Sequence, residues 1–295
     1  MPTSFRFQAP SALEYFASLV ADDANLPLVE AALSIAQDDY PRLDAQSVLL
    51  EIDNLADRIR KRITPDAPPV QKLRLLNRYF FQELGFVGNV NDYYDVRNSY
   101  VNAVLETRRG IPITLAVIYI ELASQIGLVA RGVSFPGHFL VKLRMPQGEV
   151  VIDPFTGHSL SRHELDELLL PYRRAQGLDG DFDVPLGLFL QAAPPRDVLA
   201  RMLRNLKDIH RGARDWQRLL AVQQRLVLLL PQEWDELRDR GLAHAELGST
   251  QAAIDDLSTY LEHAHGATDR RAISRQLAEL RGGSTDTGPE PRQLH

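Results

Sequence analysis

The chain has 295 residues, room for two domains or for one large domain with an appendage. Its 44% hydrophobic and 24% charged content is ordinary for a soluble globular protein, and a formal net charge of −6 argues against a general nucleic-acid binder. The lack of any cysteine removes disulfides, thiolate metal sites and thiol catalysis together, and no apolar core follows Met1-Pro-Thr-Ser-Phe-Arg as a signal peptide would require, so a cytoplasmic protein is expected.

Pro10 to Val20, Pro27 to Ile35 and Asp44 to Ile59 carry apolar residues at helical spacing, for example Val48, Leu49, Ile52 and Leu55 in the third segment. Pro65, Pro68 and Pro69 interrupt the pattern. Val70 to Leu84 then reads as a further helix ended by Gly85, and together these segments form a helical subdomain. Phe86 to Tyr100 is different. Asn89, Asn91, Asp92, Tyr93, Tyr94, Asp95, Arg97, Asn98 and Ser99 form a polar, aromatic stretch. Such residues bond their own backbone in turns, yet a loop on a rigid scaffold also carries binding groups; Tyr94 and Asn98 are the binding candidates here.

Thr107 to Gly157 is the centre of the chain. Gly110 and Pro112 punctuate its start, and proline suits the first turn of a helix because no N–H partner is needed there. Ile113 to Ile126 is apolar almost all round, which predicts a helix buried on every side. Thr114, Tyr119, Glu121, Ser124 and Gln125 interrupt it, so it is too short and too polar to span a bilayer. Gly127 is a natural stop. His138 to Leu143, the turn cluster Pro146-Gln147-Gly148 and Val150 to Ile152 predict a hairpin, with His138 opening one strand and Asp153 ending its partner. Antiparallel pairing sets those two ends side by side. With a polar side chain in the first turn of the buried helix, Thr114, the set has the form of a nucleophile, base and orienter.

Beyond this centre, Ser161-Arg-His-Glu164 is a capping box for a short helix ending near Leu170-Pro171. Gly177 to Asp183 has some look of a calcium loop, but the ligand spacing and the closing glutamate are wrong, so a solvated acidic loop is the reading. His158 and His163 have no third and fourth ligand nearby, and no phosphate-binding glycine motif occurs, so neither a metal nor a nucleotide cofactor is expected. Ala192-Ala-Pro-Pro195 marks a domain boundary. Val198 to Ile209, Trp216 to Leu230, Trp234 to Leu247, Ala252 to His263 and Arg271 to Leu280 follow as helices. Against a period of about 34 residues, Gly241, Ala253 and Leu257 fall at small and large repeat positions and Pro231 closes the preceding unit. Arg201, Arg204, Lys207, Arg211 and Arg214 read as a solvated basic face, one that could dock an acidic peptide. Residues 282–295 are polar and read as a flexible tail.

Arg109-Gly-Ile-Pro-Ile-Thr114, Ala130-Arg-Gly-Val-Ser-Phe-Pro-Gly-His-Phe-Leu-Val141 and Asp153-Pro-Phe155 resemble the bacterial SirB family, which joins a transglutaminase-like domain of the papain type to tetratricopeptide repeats. The resemblance runs from about Pro10 to Leu280. It implies an α+β fold: a mostly helical chain with a small antiparallel sheet over 1–192, then helical repeats over 193–281. In the papain type a cysteine heads the buried helix, and His and Asp follow on neighbouring strands. His138 and Asp153 match that pattern. The nucleophile position falls near Pro112, two residues before Thr114.

The reading is therefore a non-catalytic, vestigial transglutaminase-like protein that binds a protein or peptide through its repeats, in a regulatory or accessory role. The alternative is a hydrolase or acyl-transfer enzyme using His138, Asp153 and a hydroxyl such as Thr114. Arg109 and Arg131, with Arg108, either line the same cleft or pair with Glu106 or Asp95.

Overall fold

The computed structural model describes residues 10–177 and 184–283. The chain is mostly helical with a small antiparallel sheet, and it divides into two compact units, Met1–Met202 and Leu203–His295. The division falls inside a helix, beyond the Ala192–Pro195 boundary that composition marks.

In the first unit, α1 (Ala12–Leu19), α2 (Leu28–Ile35), α3 (Ala45–Arg60) and α4 (Pro69–Asn77) form the helical subdomain. Ser11 and Glu14 cap α1 reciprocally, a box the apolar spacing alone does not reveal. After α4 the chain takes a π-helical turn over Arg78–Glu83. That turn brings Phe80 onto Phe86, with stacked rings 4.3 Å apart, and edge-on to Tyr119 at 5.3 Å. Two short strands follow, β1 (Val87–Gly88) and β2 (Arg109–Gly110), separated by a 3-10 turn over Val96–Ser99 and by α5 (Val101–Thr107). They pair in parallel, Val87 with Arg109 and Gly88 with Gly110.

The buried helix α6 (Pro112–Gln125) begins one residue earlier than the apolar run, with Pro112 at its first position. Ile113 through Tyr119 are all buried, as are Leu122 and Ala123. Burying Tyr119 requires a partner for its hydroxyl, and Asn77 Oδ1 accepts from it at 2.6 Å. Gly127, at φ 77°, ends the helix, and the Leu128 N–H returns to the Ala123 carbonyl at 2.9 Å.

The hairpin forms as β4 (Leu140–Met145) and β5 (Gly148–Ile152), joined by Pro146-Gln147. Two strands that the hairpin pattern does not reveal flank it: β3 (Ala130–Val133) and β6 (Ser159–Leu160), giving the antiparallel order β3-β4-β5-β6. Alternation divides the sheet cleanly. Val133, Leu140 and Val151 pack with Leu165 and Leu169 of α7 (Arg162–Ala175) and with Leu186 of α8 (Leu186–Phe189). Ala130, Val141, Leu143 and Ile152 point to the other face, where α6 runs against β3 and β4. Ser161 and Glu164 cap α7 reciprocally as expected, but the helix runs past Pro171 to Ala175 rather than stopping there. Leu165 and Leu169 anchor it to the sheet, and beyond the proline Arg173 bonds the Val184 carbonyl at 3.0 Å. The loop read as calcium-like falls largely outside the described residues, as does the tail from 284.

The second unit takes in the end of α9 (Pro195–Gly212), then α10 (Trp216–Leu229), α11 (Trp234–Glu246), α12 (Thr250–His263) and α13 (Arg270–Gly283). Gly241 is where α11 meets α12 closely: a Cβ there would stand 2.9 Å from Leu257 and 3.0 Å from Asp256. Leu257, Tyr260, Ile273 and Leu277 form the core behind it. Charge is also internal here. Lys207 lies 2.5 Å from Glu236 and 2.6 Å from Asp239, Arg204 bonds Glu236 at 2.8 Å, and Arg211 bonds Asp239 at 2.7 Å. The basic series on α9 is thus not simply a solvated face. Arg204, Lys207 and Arg211 are taken up by two carboxylates of α11 that are themselves buried.

Candidate functional site

The site is built on the head of α6. The parallel pairing of Gly88 with Gly110 sets the chain's path into the helix, and the Ile111 N–H donates to the Asn98 carbonyl at 3.3 Å. Pro112 then occupies the first helical position, and no side chain caps the helix at Ile111. Thr114, two residues on, is fully buried, and its hydroxyl has no hydrogen-bond partner among the described residues.

The Asp153-Pro-Phe155 turn docks on the same ladder. The Gly88 N–H donates to the Phe155 carbonyl at 2.9 Å, and the Phe155 ring lies where a Cβ on residue 88 would stand. Asp153 holds this turn together. Its Oδ1 accepts from the Phe155 N–H at 2.8 Å and its Oδ2 from the Thr156 hydroxyl at 2.9 Å. Its own N–H donates to the His158 carbonyl at 2.9 Å. This is an Asx-type arrangement, in which the carboxylate completes a local turn.

His138 lies two residues before β4, after Gly137 at φ 72°, and its N–H donates to the Phe135 carbonyl at 3.0 Å. Neither His138 nor Asp153 is in a strand. The register that pairs Val141 with Ile152, extended by one residue, sets Asp153 opposite Leu140, with His138 further out. Among the described residues the His138 ring makes no hydrogen bond or ion pair, and the His138–Asp153 hydrogen bond expected of an orienting pair is not formed. The carboxylate is turned into its own loop instead.

The four binding candidates part company. Asn98 is only 2% exposed; its amide donates to the Asp92 carbonyl at 2.6 Å and the Tyr93 carbonyl at 3.1 Å, and its Oδ1 accepts from Asn89 at 3.0 Å. It shapes the loop from within. Tyr94 is 80% exposed, with its ring edge-on to Tyr93 at 5.4 Å. Arg109, on β2, is exposed and has no ion pair among the described residues. Arg131 is also exposed, but alternation puts it on the α7 side of the sheet with Val133, opposite to α6; it does not share a face with the helix head. Arg108 pairs with Glu51 at 3.5 Å and lies over Phe86 at 4.7 Å, while Arg97 is the partner of Glu106.

A second layer of residues around the site is not singled out by sequence reasoning. Phe155 stands 6.0 Å from Tyr93, and Phe139 carries the guanidinium of Arg201 at 5.4 Å from its ring centre. Burial raises the Tyr93 phenol's pKa, partly countered by the Arg201 charge. Three of these residues belong to noted motifs: Phe139 to the FPGHF run, Phe155 to the DPF turn and Arg201 to the basic series. The signal was present, but it drew attention to their neighbours. No group of three or more His, Cys, Asp or Glu residues is placed to hold a metal ion among the described residues; His163 is exposed and faces Glu167 at 3.3 Å. No helix among the described residues is long and apolar enough to cross a membrane.

The repeat unit carries a cavity of about 540 Å³ lined by Arg211, Trp216, Arg238, Asp239, Leu242 and Gln276, among others. Arg238 spans it electrostatically, 2.7 Å from both Asp239 and Asp269.

Comparison with known proteins matches the transglutaminase-like superfamily over residues 46–204 and the tetratricopeptide repeat over 206–278. A UPF0162 protein of Xylella fastidiosa (strain Temecula1) is 42% identical over 242 residues, covering 82% of this chain and 85% of the relative. A UPF0162 protein of Pseudomonas aeruginosa is 31% identical over 268 residues, covering 91% and 94%, and UPF0162 protein YchA of Escherichia coli (strain K12) is 28% identical over 228 residues, covering 76% and 80%. The chain therefore belongs to the UPF0162 proteins of the transglutaminase-like superfamily, with a tetratricopeptide-repeat segment behind the transglutaminase-like one.

Proposed function

We propose that this chain is a non-catalytic transglutaminase-like protein that binds a protein or peptide partner, acting as a regulatory or accessory factor in the cytoplasm. The observation that carries the reading is the head of α6. A cysteine-free chain has Pro112 at the first helical position, and the hydroxyl of Thr114 is buried and unpartnered. Nucleophilic catalysis by a hydroxyl requires a base within hydrogen-bond reach, and His138 makes no bond to Thr114. The repeat segment supports the binding half of the reading, because stacked helical repeats characteristically present concave surfaces to peptides. The cavity containing Trp216 and Leu242 is the place such a peptide would occupy.

The test has two arms. Purified full-length protein is offered amide, ester and thioester substrates, with His138→Ala as control; no turnover is expected. Turnover lost in His138→Ala would overturn the reading and favour a hydrolase or acyl-transfer enzyme working through His138 and the nearest hydroxyl. A displayed peptide library is then screened against the same protein. Selected peptides should bind His138→Ala unchanged and lose binding in Leu242→Asp, whose side chain lines the cavity without being fully buried.

A further inference from the structure

Arg201 is the outlier among the arginines of α9. Arg196 bonds Asp23 at 2.5 Å and the Val20 carbonyl at 2.6 Å, and Arg204 and Arg211 each have a buried carboxylate. Arg201 is half-buried, and among the described residues it has neither a hydrogen bond nor an ion pair. Its contact is with a π-face: the guanidinium lies over Phe139, 5.4 Å from the ring centre. Asp197 stands one helical turn earlier, the usual place for a partner, and Asp92 and Asp95 flank Tyr93, yet none reaches ion-pair distance. Asp95 is occupied in capping the turn at Arg97, and Asp153 in closing its own turn. Burial lowers the pKa of the Arg201 guanidinium, with the Tyr93 phenol partly opposing that. A cation that is desolvated and left without an acceptor is unfavourable unless something supplies the acceptor.

The surroundings define that acceptor. Phe139, itself 2% exposed, backs the guanidinium; Tyr93, 45% exposed, brings a phenol hydroxyl; Phe155 stands 6.0 Å beyond Tyr93. His138, half-buried and with no ring hydrogen bond among the described residues, is the residue next to Phe139. A planar guanidinium fork matches a carboxylate through two parallel hydrogen bonds. A phosphate group is ordinarily held by several cations or by backbone N–H groups at a helix start, whereas a single guanidinium suits a carboxylate. The Tyr93 and Phe155 rings favour an apolar or aromatic body behind the anionic end. We infer that Arg201, framed by Phe139 and Tyr93, is an anion-binding residue that takes the carboxylate of an organic ligand on the part of the transglutaminase-like unit that carries His138.

Benzoate is the probe, with benzamide as its uncharged counterpart and inorganic phosphate as the competing anion. Each is titrated into isotope-labelled full-length protein while the Arg201 Nε–H and Tyr93 ring signals are followed. Benzoate should shift both signals saturably and benzamide should not. Arg201→Gln should weaken benzoate roughly tenfold or more, with Arg201→Lys between the two, because a lysine keeps the charge but not the fork. Should Arg201→Gln fail to fold, Tyr93→Ala, on a half-exposed loop, should weaken benzoate while leaving the thermal midpoint in place. Absence of saturation with benzoate, equal binding of benzamide, or full benzoate affinity in Arg201→Gln would each overturn the inference. Saturation by phosphate where benzoate has no effect would overturn the carboxylate assignment.

Discussion

Gly132 and Phe139 meet across the edge of the sheet, and the consequence of filling the gap between them can be worked from the geometry. A Cβ on residue 132 would stand 2.6 Å from Phe139 Cζ, 3.0 Å from Cε1 and 3.7 Å from Val198 Cγ2. Ordinary carbon–carbon contact lies at about 3.5–4.0 Å, so the ring must retreat by about 1 Å. It has nowhere to go: Phe139 is 2% exposed, and Arg201 lies over its face. Gly132 sits in β3 at a conformation open to any residue, so Gly132→Ala brings no backbone strain and recovers some unfolded-state entropy, roughly 0.4–1 kcal/mol. Overpacking costs about 1–3 kcal/mol. The net expectation is a loss of about 1–2 kcal/mol, or roughly 2–8 °C in thermal midpoint for a unit of this size. Phe139→Leu alone should also destabilise, by leaving a cavity. The decisive measurement is the double-mutant cycle in urea. Gly132→Ala in the Phe139→Leu background should cost at least about 1 kcal/mol less than in the wild type, because the clashing atoms are gone. Strict additivity of the two changes would refute the packing argument.

Other consequences can be checked separately. Thr114→Val replaces a buried, unpartnered hydroxyl with an isosteric methyl and should leave stability unchanged or raise it by up to about 1 kcal/mol; a loss greater than about 1 kcal/mol in urea melts would mean the hydroxyl has a partner. Asp239 is pushed toward a higher pKa by burial, but Lys207 and Arg238 more than reverse this and hold it below 3.8. The folded chain therefore binds fewer protons than the unfolded one, so the stabilisation is complete above the unfolded value and lost as pH falls through the depressed one; the pH dependence of urea stability below about pH 4 should be shallower in Asp239→Asn than in wild type. Gly241→Val should destabilise the repeat unit, since even a Cβ there is 2.9 Å from Leu257, and an unchanged melting profile would contradict that close approach. His138→Ala should change stability by less than about 0.5 kcal/mol, whereas Asp153→Ala, which strips two acceptors from its turn, should cost about 1–2 kcal/mol; equal effects in thermal melts would contradict the division of roles.

What the sequence revealed and what it hid follow from how local each signal is. Pro112 and Gly127 bound α6 because a first-turn proline and a left-handed glycine act within a few residues. The Pro146-to-Gly148 turn and the Ser161–Glu164 cap are local in the same sense, and Gly241, Ala253 and Leu257 fall on the α11–α12 contact that their spacing implies. The hidden features depend on distant partners. β3 is four residues long and contains Gly132, and it becomes a strand because β4 supplies its hydrogen bonds. The basic series on α9 has the spacing of a solvated face; only the positions of Glu236 and Asp239 on α11 turn it inward. Asn98 and Asp153 have turn-closing tasks that their residue types also allow. Short polar side chains satisfy their own loops readily, and here both do so with backbone groups within six residues.

That last point bears on how a papain-type pattern should be read when its nucleophile is missing. Asp153 fixes the turn that sets the Phe155 carbonyl against the Gly88 N–H; Gly88 pairs with Gly110; Gly110 delivers the chain to Pro112. Each step is accounted for by closing the head of a buried helix, with no reference to chemistry. An aspartate at this place is thus weak grounds for catalysis, since the fold requires the turn whether or not a reaction takes place. His138 is different. It is half-buried, and among the described residues its ring makes no hydrogen bond or ion pair. Its neighbour Phe139 carries Arg201, which has no hydrogen bond or ion pair among the described residues. Asp153 thus has a structural task in closing its turn, whereas the His138 ring and the Arg201 guanidinium make no hydrogen bond or ion pair among the described residues.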